Sequence, residues 1–139
     1  MTDYLDLKFH HIGIAVKEFK TSLEFYKTLK YKWFKSKIFR DKKQKVDLIL
    51  LKHDNFSNIE LVKPYDASSP ISNYIRDHDN RIYHFCYEVD SFEKVEEKLK
   101  KKFRLFNVVK PTPAILFNNR LVSFYYIDKV GLIELLKKK

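Results

Sequence analysis

The sequence is poor in the residues that mark disulfide-rich, fibrous or disordered proteins. Its 139 residues include one cysteine, Cys86, together with two glycines and four prolines. A single cysteine excludes an internal disulfide and a zinc site built from paired cysteines. Because 45% of the residues are hydrophobic, neither a disordered chain nor a low-complexity linker is expected. A chain of this length and composition is expected to fold as one compact domain, residues 1–139.

Long hydrophobic runs are also absent from the sequence. No segment is apolar over the length that a bilayer crossing requires, and the polar, acidic N-terminus does not resemble a signal peptide. We therefore expect no membrane partner and a cytoplasmic location.

Acidic residues are the minority among the charges. Twenty-eight Lys and Arg residues against 18 Asp and Glu residues give a net charge of +10. Such an excess raises nucleic acid, a membrane surface and anionic small molecules as partners. The lysines are scattered through every segment, and none of their runs forms a basic helix with interleaved aromatic residues, so we expect no nucleic-acid partner. A solvated basic surface that also attracts an anionic substrate is the expected role of the charge.

The same order of elements occurs twice along the chain. The segments KFHHIGIAV (8–16) and RIYHFCYEV (81–89) alternate like strands, and an amphipathic helical pattern follows each one. Three further strand-like stretches complete each half: WFKSKIF, VDLILLKH and NIELVKP in the first, and FRLFNVV with the Pro-bracketed AILF, RLVSFYYI and GLIELLK in the second. The pattern predicts a duplicated strand, helix, strand, strand, strand module.

The modules are expected at about 8–64 and about 81–137, with a turn-rich linker at about 65–80. A short helix is expected to start near Pro70, and Ser91 is the expected N-cap of the second module's helix.

Two histidines and two glutamates occupy matching positions in the two halves. His11 and Glu60 are 49 residues apart, and His84 and Glu134 are 50 apart. Each glutamate is the lone acid of an apolar strand, where burial is costly unless the carboxylate is paired or bound to a cation. Two imidazoles and two carboxylates suit nickel, cobalt, zinc or manganese better than calcium or magnesium. For any one position a solvent-facing residue is the simpler interpretation, whereas the repeated set of four favours a metal site.

Only one of the adjacent histidines His10 and His11 fits that set. Neighbouring side chains of a strand point to opposite faces of the sheet, so the two imidazoles cannot share a site. In the second half His84 matches His11, and Tyr83 takes the position of His10. We therefore expect His11 to bind the metal and His10 to be a packing residue.

The motifs HHIGIAV, NIELVKP, YHFCYEV and GLIELL resemble the vicinal oxygen chelate superfamily, in the branch that holds glyoxalase I and methylmalonyl-CoA epimerase. The resemblance covers about residues 8 to 137. It implies an α+β fold in which two βαβββ modules form a curved-sheet cleft. It also implies that one residue from the first and last strand of each module holds a divalent metal ion. Carried across position by position, these ligands are His11, Glu60, His84 and Glu134, the same four residues.

The resemblance implies an isomerase or lyase that stabilises an enolate or enediolate while a base removes the proton next to a carbonyl. Glu134 is the first candidate for this base, because in this branch a metal-bound glutamate takes that role. Asp47, in KVDLILL, lies where some epimerases similar to this chain carry a second catalytic glutamate. An acid facing solvent on an edge strand is an equally open interpretation of Asp47.

The implied substrate is an anionic small molecule, either an acyl-CoA or a glutathione adduct. The linker ELVKPYDASSPI resembles that of methylmalonyl-CoA epimerases, whereas Ala15 and Pro64 stand where many glyoxalase I enzymes (lactoylglutathione lyases) have glutathione-contacting residues. Members of the superfamily often dimerise, so a homodimer is compatible with the resemblance. Two alternatives are a non-catalytic binding protein of the bleomycin-resistance type and an iron dioxygenase. The complete set of four ligands argues against both.

Overall fold

The computed structural model describes residues 4–139. Within these residues the chain forms nine strands and three α-helices. In chain order they are β1 (Lys8–Ala15), α1 (Lys20–Thr28), β2 (Lys32–Trp33), β3 (Phe39–Asp41), β4 (Val46–Lys52), β5 (Asn58–Pro64), α2 (Ser72–Ile75), β6 (Arg81–Val89), α3 (Phe92–Lys100), β7 (Leu105–Ala114), β8 (Arg120–Ile127) and β9 (Gly131–Lys137). The α+β class and the two βαβββ modules are confirmed, with the second strand of the first module divided into β2 and β3. None of the helices in the described part of the chain has the length and apolar character that a bilayer crossing demands.

The chain divides into two compact units. The first unit is His11–Tyr83, and the second joins the described residues up to His10 with His84–Lys139. The described residues up to and including His10 thus belong with the second half of the chain. The module boundaries drawn from the sequence stay a prediction.

The first unit is a mixed sheet in the order β2, β4, β5, β1, with β3 also paired to β4. Neighbouring strands run antiparallel except β1 and β5, which are parallel. One face of this sheet is covered by the region of α1, where Phe19, Leu23 and Tyr26 pack against Ile49 and Leu61. We call this side the helix face of the first unit.

The second unit repeats this arrangement in the order β7, β8, β9, β6, with β6 and β9 parallel. Phe92 and Val95 of α3 pack against Tyr125 and Leu135 on its helix face. Leu5 and Leu7 also pack on this core, which explains why the N-terminal residues belong to the second unit. The side chain of Ser91 accepts a hydrogen bond from the Lys94 backbone amide at 3.3 Å, and the predicted N-cap is therefore confirmed.

Two strand assignments from the sequence are wrong. The segment WFKSKIF is broken by a 3₁₀ turn at Phe34–Ser36, in which Lys35 adopts a left-handed backbone with φ of 55°. The Pro-bracketed AILF is not a strand, because Ile115–Phe117 form a 3₁₀ turn after β7. The predicted short helix near Pro70 is present as α2.

Candidate metal centre

The first histidine and glutamate pair joins the first and last strands of the first unit. His11 lies on β1, and its Nε2 is 3.7 Å from Oε2 of Glu60 on β5. The parallel register places Gly13 opposite Glu60, and Gly13 shares a face with His11 because side chains alternate along a strand. The two side chains therefore lie on the same face, opposite to the helix face. His11 is fully buried and Glu60 is 5% exposed.

The second pair has the same construction in the second unit. His84 lies on β6, and its Nε2 is 3.2 Å from Oε1 of Glu134 on β9. Cys86, two residues after the histidine, lies opposite Glu134 in the parallel register. Both partners are almost fully buried, at 2% and 3% exposure.

The two units thus repeat one register as well as one pair of residue types. In each, the glutamate faces the residue two positions after the histidine, which is Gly13 in one unit and Cys86 in the other. In a parallel pair this offset brings a histidine and a glutamate side by side on one face. We call that side the His–Glu face of each unit.

Each pair presents one imidazole nitrogen and one carboxylate oxygen at a separation that suits metal binding. A ligand atom lies about 2.0–2.2 Å from zinc, so adjacent ligands of one ion are about 3 to 3.5 Å apart. The separations of 3.2 and 3.7 Å are close to this range. Buried nitrogen and oxygen donors also match the nickel, cobalt, zinc or manganese expected from the sequence. Each pair therefore fits half of a divalent-metal site.

The second residue of the adjacent pair, His10, takes a different role. Its ring lies edge-on against Phe117, with 5.0 Å between the ring centroids. An aromatic contact of this kind is compatible with the packing role expected from the sequence.

Asp47 and Glu60 lie on opposite faces of the first unit's sheet. The antiparallel register pairs Asp47 with Lys63 and Leu50 with Glu60, so Asp47 belongs to the helix face. Its carboxylate accepts hydrogen bonds from Nε and Nη2 of Arg40 at 2.8 and 3.0 Å. These bonds hold the pKa of the Asp47 carboxyl below its usual value, although burial acts in the opposite direction. A carboxylate engaged in this way on that face is poorly suited to act as a base on the His–Glu face, and its catalytic role stays a prediction.

Charged residues beside each pair were not singled out in the sequence. In the first unit Lys52 shares the parity of Leu50 and therefore belongs to the His–Glu face. In the second unit Glu88 has the parity of His84, and its Oε2 is 2.6 Å from Nη2 of Arg120. Strand parity alone assigns Lys52 and Glu88 to these faces, whereas the partner of Glu88 depends on the fold.

Comparison with known proteins places this chain in a family. The family model described as the Glyoxalase/Bleomycin resistance protein/Dioxygenase superfamily matches residues 10–124. The mitochondrial methylmalonyl-CoA epimerase of Dictyostelium discoideum is 27% identical over 135 residues, which cover 94% of this chain and 78% of that protein.

Solved structures share the fold. A hypothetical protein from Bacillus halodurans matches with a TM-score of 0.80 and 29% identity, covering 97% of this chain and 96% of that one. A variant of Streptomyces coelicolor methylmalonyl-CoA epimerase, in complex with 2-nitronate-propionyl-CoA, matches with a TM-score of 0.76 and 19% identity, covering 96% and 99%. At that identity the second match shows the fold alone. With a family model matching most of its length and the same modules in its structure, this chain belongs to the Glyoxalase/Bleomycin resistance protein/Dioxygenase superfamily, the vicinal oxygen chelate superfamily.

Proposed function

We propose that this protein is a divalent-metal-dependent enzyme that transfers a proton at the carbon next to a carbonyl, with an acyl-CoA thioester as substrate. The observation that carries the proposal is the buried histidine and glutamate pair that recurs in both units with the same register. The relative from Dictyostelium discoideum, named a methylmalonyl-CoA epimerase, supports an epimerase of that type. A glyoxalase I type lyase acting on a glutathione adduct would use the same proton transfer on a different carrier.

In this proposal the ligands of one ion are His11, Glu60, His84 and Glu134. Each pair contributes one nitrogen and one oxygen, and burial of all four keeps competing water away from the donors. A bound divalent ion supplies positive charge beside the substrate carbonyl as negative charge develops there.

The proton is taken by Glu134 in this mechanism. The carbon–hydrogen bond next to the carbonyl breaks, its electron pair moves toward the carbonyl oxygen, and the proton passes to a Glu134 carboxylate oxygen. Glu134 is 3% exposed, and its register partner on β8 is Phe124. A ring at that position shields the carboxylate from bulk water. Inversion then requires protonation of the opposite side of the carbon by a second donor, and in this proposal that donor is a water molecule, whereas return of the proton from Glu134 restores the original substrate.

Deuterium incorporation tests the proposed reaction. Methylmalonyl-CoA and the hemithioacetal of methylglyoxal and glutathione are each incubated in D₂O with chelator-treated protein, before and after addition of nickel, cobalt, zinc or manganese. We expect incorporation at the carbon next to the carbonyl of methylmalonyl-CoA only after a divalent ion is added. Stoichiometric metal binding without exchange on either compound would contradict the proposed reaction. Failure to bind a stoichiometric ion would favour the non-catalytic binding protein instead.

The proposal also includes the substrate class, the location and the oligomeric state expected from the sequence. We propose an anionic small-molecule substrate, a cytoplasmic protein and a homodimer. Sedimentation velocity at micromolar concentration tests the last of these, and a single species at the monomer mass of 16.8 kDa would contradict it.

A further inference from the structure

Two lysines lie side by side near one edge of the first unit, on the face that carries its histidine and glutamate pair. Lys32 on β2 lies opposite Lys52 on β4 in the antiparallel register, so both have the parity of the His–Glu face. On the neighbouring strand β5, the antiparallel register pairs Leu51 with Ile59, so Lys52 is level with Asn58. Asn58 in turn lies opposite His11 on β1. Two strand spacings separate Lys52 from His11, or about 10 Å. The third spacing puts Lys32 at about 14 Å.

Two ammonium groups gather on one aromatic ring at this edge. The Lys52 Nζ lies 4.1 Å from the centroid of Phe34, and the Lys35 Nζ lies 5.1 Å from the same centroid. Lys35 reaches the ring from the left-handed position of the 3₁₀ turn. We call Lys32, Phe34, Lys35 and Lys52 the Lys–Phe surface.

Little negative charge offsets these cations. Among residues 4–139, no carboxylate lies within 4 Å of the ammonium of Lys35 or Lys52. Lys32 has Asp54 at 3.8 Å, but that pair is largely exposed and contributes little. The surrounding segment 27–45 holds nine Lys or Arg residues and one acid. The ammonium groups of Lys35 and Lys52, held against one ring, repel each other, and a bound anion relieves this repulsion.

We propose that the Lys–Phe surface binds the phosphate groups of a nucleotide carrier of the coenzyme A class. This inference rests on the proposed function, because it identifies the carrier of the substrate whose carbonyl lies at the His–Glu pairs. The distance of about 10 to 14 Å from His11 calls for a carrier with a long arm between the reacting thioester and its phosphates. Two lysines on one ring, with Lys32 beside them on the sheet, favour a polyanion with phosphate oxygens over glutathione, one of whose two carboxylates is offset by its own ammonium group.

Binding of adenosine 3′,5′-bisphosphate and of coenzyme A to the full-length protein tests the surface. The test variant is Lys52→Gln. The control is Lys27→Gln, which also removes a lysine stacked on an aromatic ring, because the Lys27 Nζ lies 5.7 Å from the ring of Trp33. Trp33 packs with the core of the helix face, so this control changes the net charge equally on the opposite side of the sheet.

Isothermal titration calorimetry at fixed salt should show about tenfold weaker binding of both compounds to Lys52→Gln and unchanged binding to Lys27→Gln. Equal affinities of the two variants, or no saturable binding of the nucleotide to the native protein, would overturn the inference. A circular dichroism spectrum of each variant confirms that the fold is retained.

A thioester on a truncated carrier separates this inference from the proposed reaction. With a pantetheine thioester, which lacks the nucleotide, Lys52→Gln should exchange deuterium as the native protein does, while its KM for the coenzyme A thioester rises about tenfold. An unchanged KM for both substrates would overturn the docking surface and leave the proton transfer intact. A third outcome is also possible, in which Lys52→Gln loses nucleotide binding and the native protein exchanges no thioester. That outcome would support the docking surface and contradict the proposed reaction.

Discussion

The two units present the same histidine and glutamate pair in different electrostatic surroundings. In the first unit the neighbouring charges on the His–Glu face are Lys52 and Lys32, for which the described part of the chain provides no buried acidic partner. In the second unit Glu88 and Arg120 neutralise each other on that face, with side chains 16% and 14% exposed. The repeated register is the part that metal binding requires, and the charges around it differ. We therefore expect the two units to contribute alike to the proposed metal site and to differ in their interaction with a charged substrate.

The edges of the units differ as well. At the edge of the first unit, a 3₁₀ turn that carries Lys35 follows the two-residue strand β2. At the edge of the second unit, β7 continues for ten residues with two irregularities in its register. The Asn107 side-chain amide spans this region, donating to Ser123 Oγ at 2.9 Å and to the Val109 carbonyl at 3.0 Å. The hydrogen bond from Asn107 to Ser123 thus links β7 to β8 where their register is irregular.

The largest expected difference between the units concerns the base. With saturating metal, Glu134→Gln should lower the deuterium exchange rate by about a thousandfold, because the amide cannot accept the proton. Glu60→Gln should weaken metal binding but keep the rate at saturating metal within about tenfold. Single-turnover exchange in D₂O measures both. Equal losses at saturating metal would show that Glu134 has no distinct role.

Metal affinity should be nearly symmetric between the units. His11→Ala and His84→Ala should each weaken divalent-metal binding by at least about a hundredfold, since each removes one nitrogen ligand. His10→Phe is the matched control and should bind metal like the native protein. Competition with a chromophoric chelator gives the affinities. Full affinity of His11→Ala would show that the second pair binds metal without the first.

Replacing one or the other partner of an ion pair should lower the unfolding free energy by different amounts in the first unit and by similar amounts in the second. Arg40→Gln leaves the 6%-exposed Asp47 without its partner and should cost about 2–4 kcal/mol. Asp47→Asn leaves a guanidinium that is 55% exposed and hydrated, at a cost of about 1 kcal/mol. In the second unit Glu88→Gln and Arg120→Gln should be closer to each other, because both side chains are similarly buried.

Urea denaturation at pH 7 gives the free energy of unfolding of these variants. Asp47→Asn should also keep the exchange activity, since Asp47 lies on the helix face. Complete loss of exchange in a folded Asp47→Asn protein would support the catalytic role predicted from the sequence.

Acid should reduce the stability that these pairs contribute. Hydrogen bonds from Arg40 lower the pKa of Asp47. For Glu88, burial raises the pKa, but the Arg120 hydrogen bond together with nearby positive charges outweighs it and leaves the pKa lowered. A carboxyl whose pKa is lower in the folded state stabilises the fold fully above its unfolded pKa of about 4, and this contribution is lost as the pH falls through the folded value.

The difference in unfolding free energy between the native protein and Arg40→Gln should therefore shrink below about pH 4. Urea midpoints at pH 3 and pH 7 provide the comparison. A difference that stays constant between these pH values would contradict the assigned cause.

The smallest expected effects concern the two helices. Helix α3 has the Ser91 cap, whereas the N-cap residue of α1, Phe19, makes no side-chain cap, and Lys30, two residues after the end of α1, has a left-handed conformation, φ 72°. Ser91→Ala should lower the unfolding free energy by about 1 kcal/mol. Lys30→Gly should raise it by about 0.5 kcal/mol, because glycine adopts this backbone without strain. Thermal unfolding with both single variants checks the two signs, and a destabilised Lys30→Gly protein would contradict the second.

Periodicity in the sequence was sufficient for the elements that have one buried face. The alternation around His11 and His84, the helical pattern after each strand and the position of Ser91 all led to the observed elements. The repeated spacing also distinguished the predicted ligand His11 from its neighbour His10, because the second half has a histidine only at the position that matches His11. Strand parity and duplication therefore predicted which side chains share a face, whereas their role in metal binding stays a prediction.

The missed features depend on contacts between distant residues or on backbone choices without a local marker. No glycine or proline announces the break at Lys35 and Ser36, both of which have positive φ. Pro111 and Pro113 suggested an interruption, yet β7 tolerates them because, within residues 4–139, it is an edge strand that pairs only with β8 and needs no ladder amide on its outer side. The role of Arg40 as partner of Asp47 follows from the β3–β4 register, which sequence alone did not define.

The parallel pairing of the first and last strands in each unit has a consequence for folding kinetics. A histidine and its glutamate are about fifty residues apart, so their contact is among the least local in its unit. Loop closure of that length is slow and comes late relative to hairpins such as β4–β5. A metal ion that needs both ligands would bind after closure, and it would therefore extend the lifetime of the folded state more than it accelerates folding.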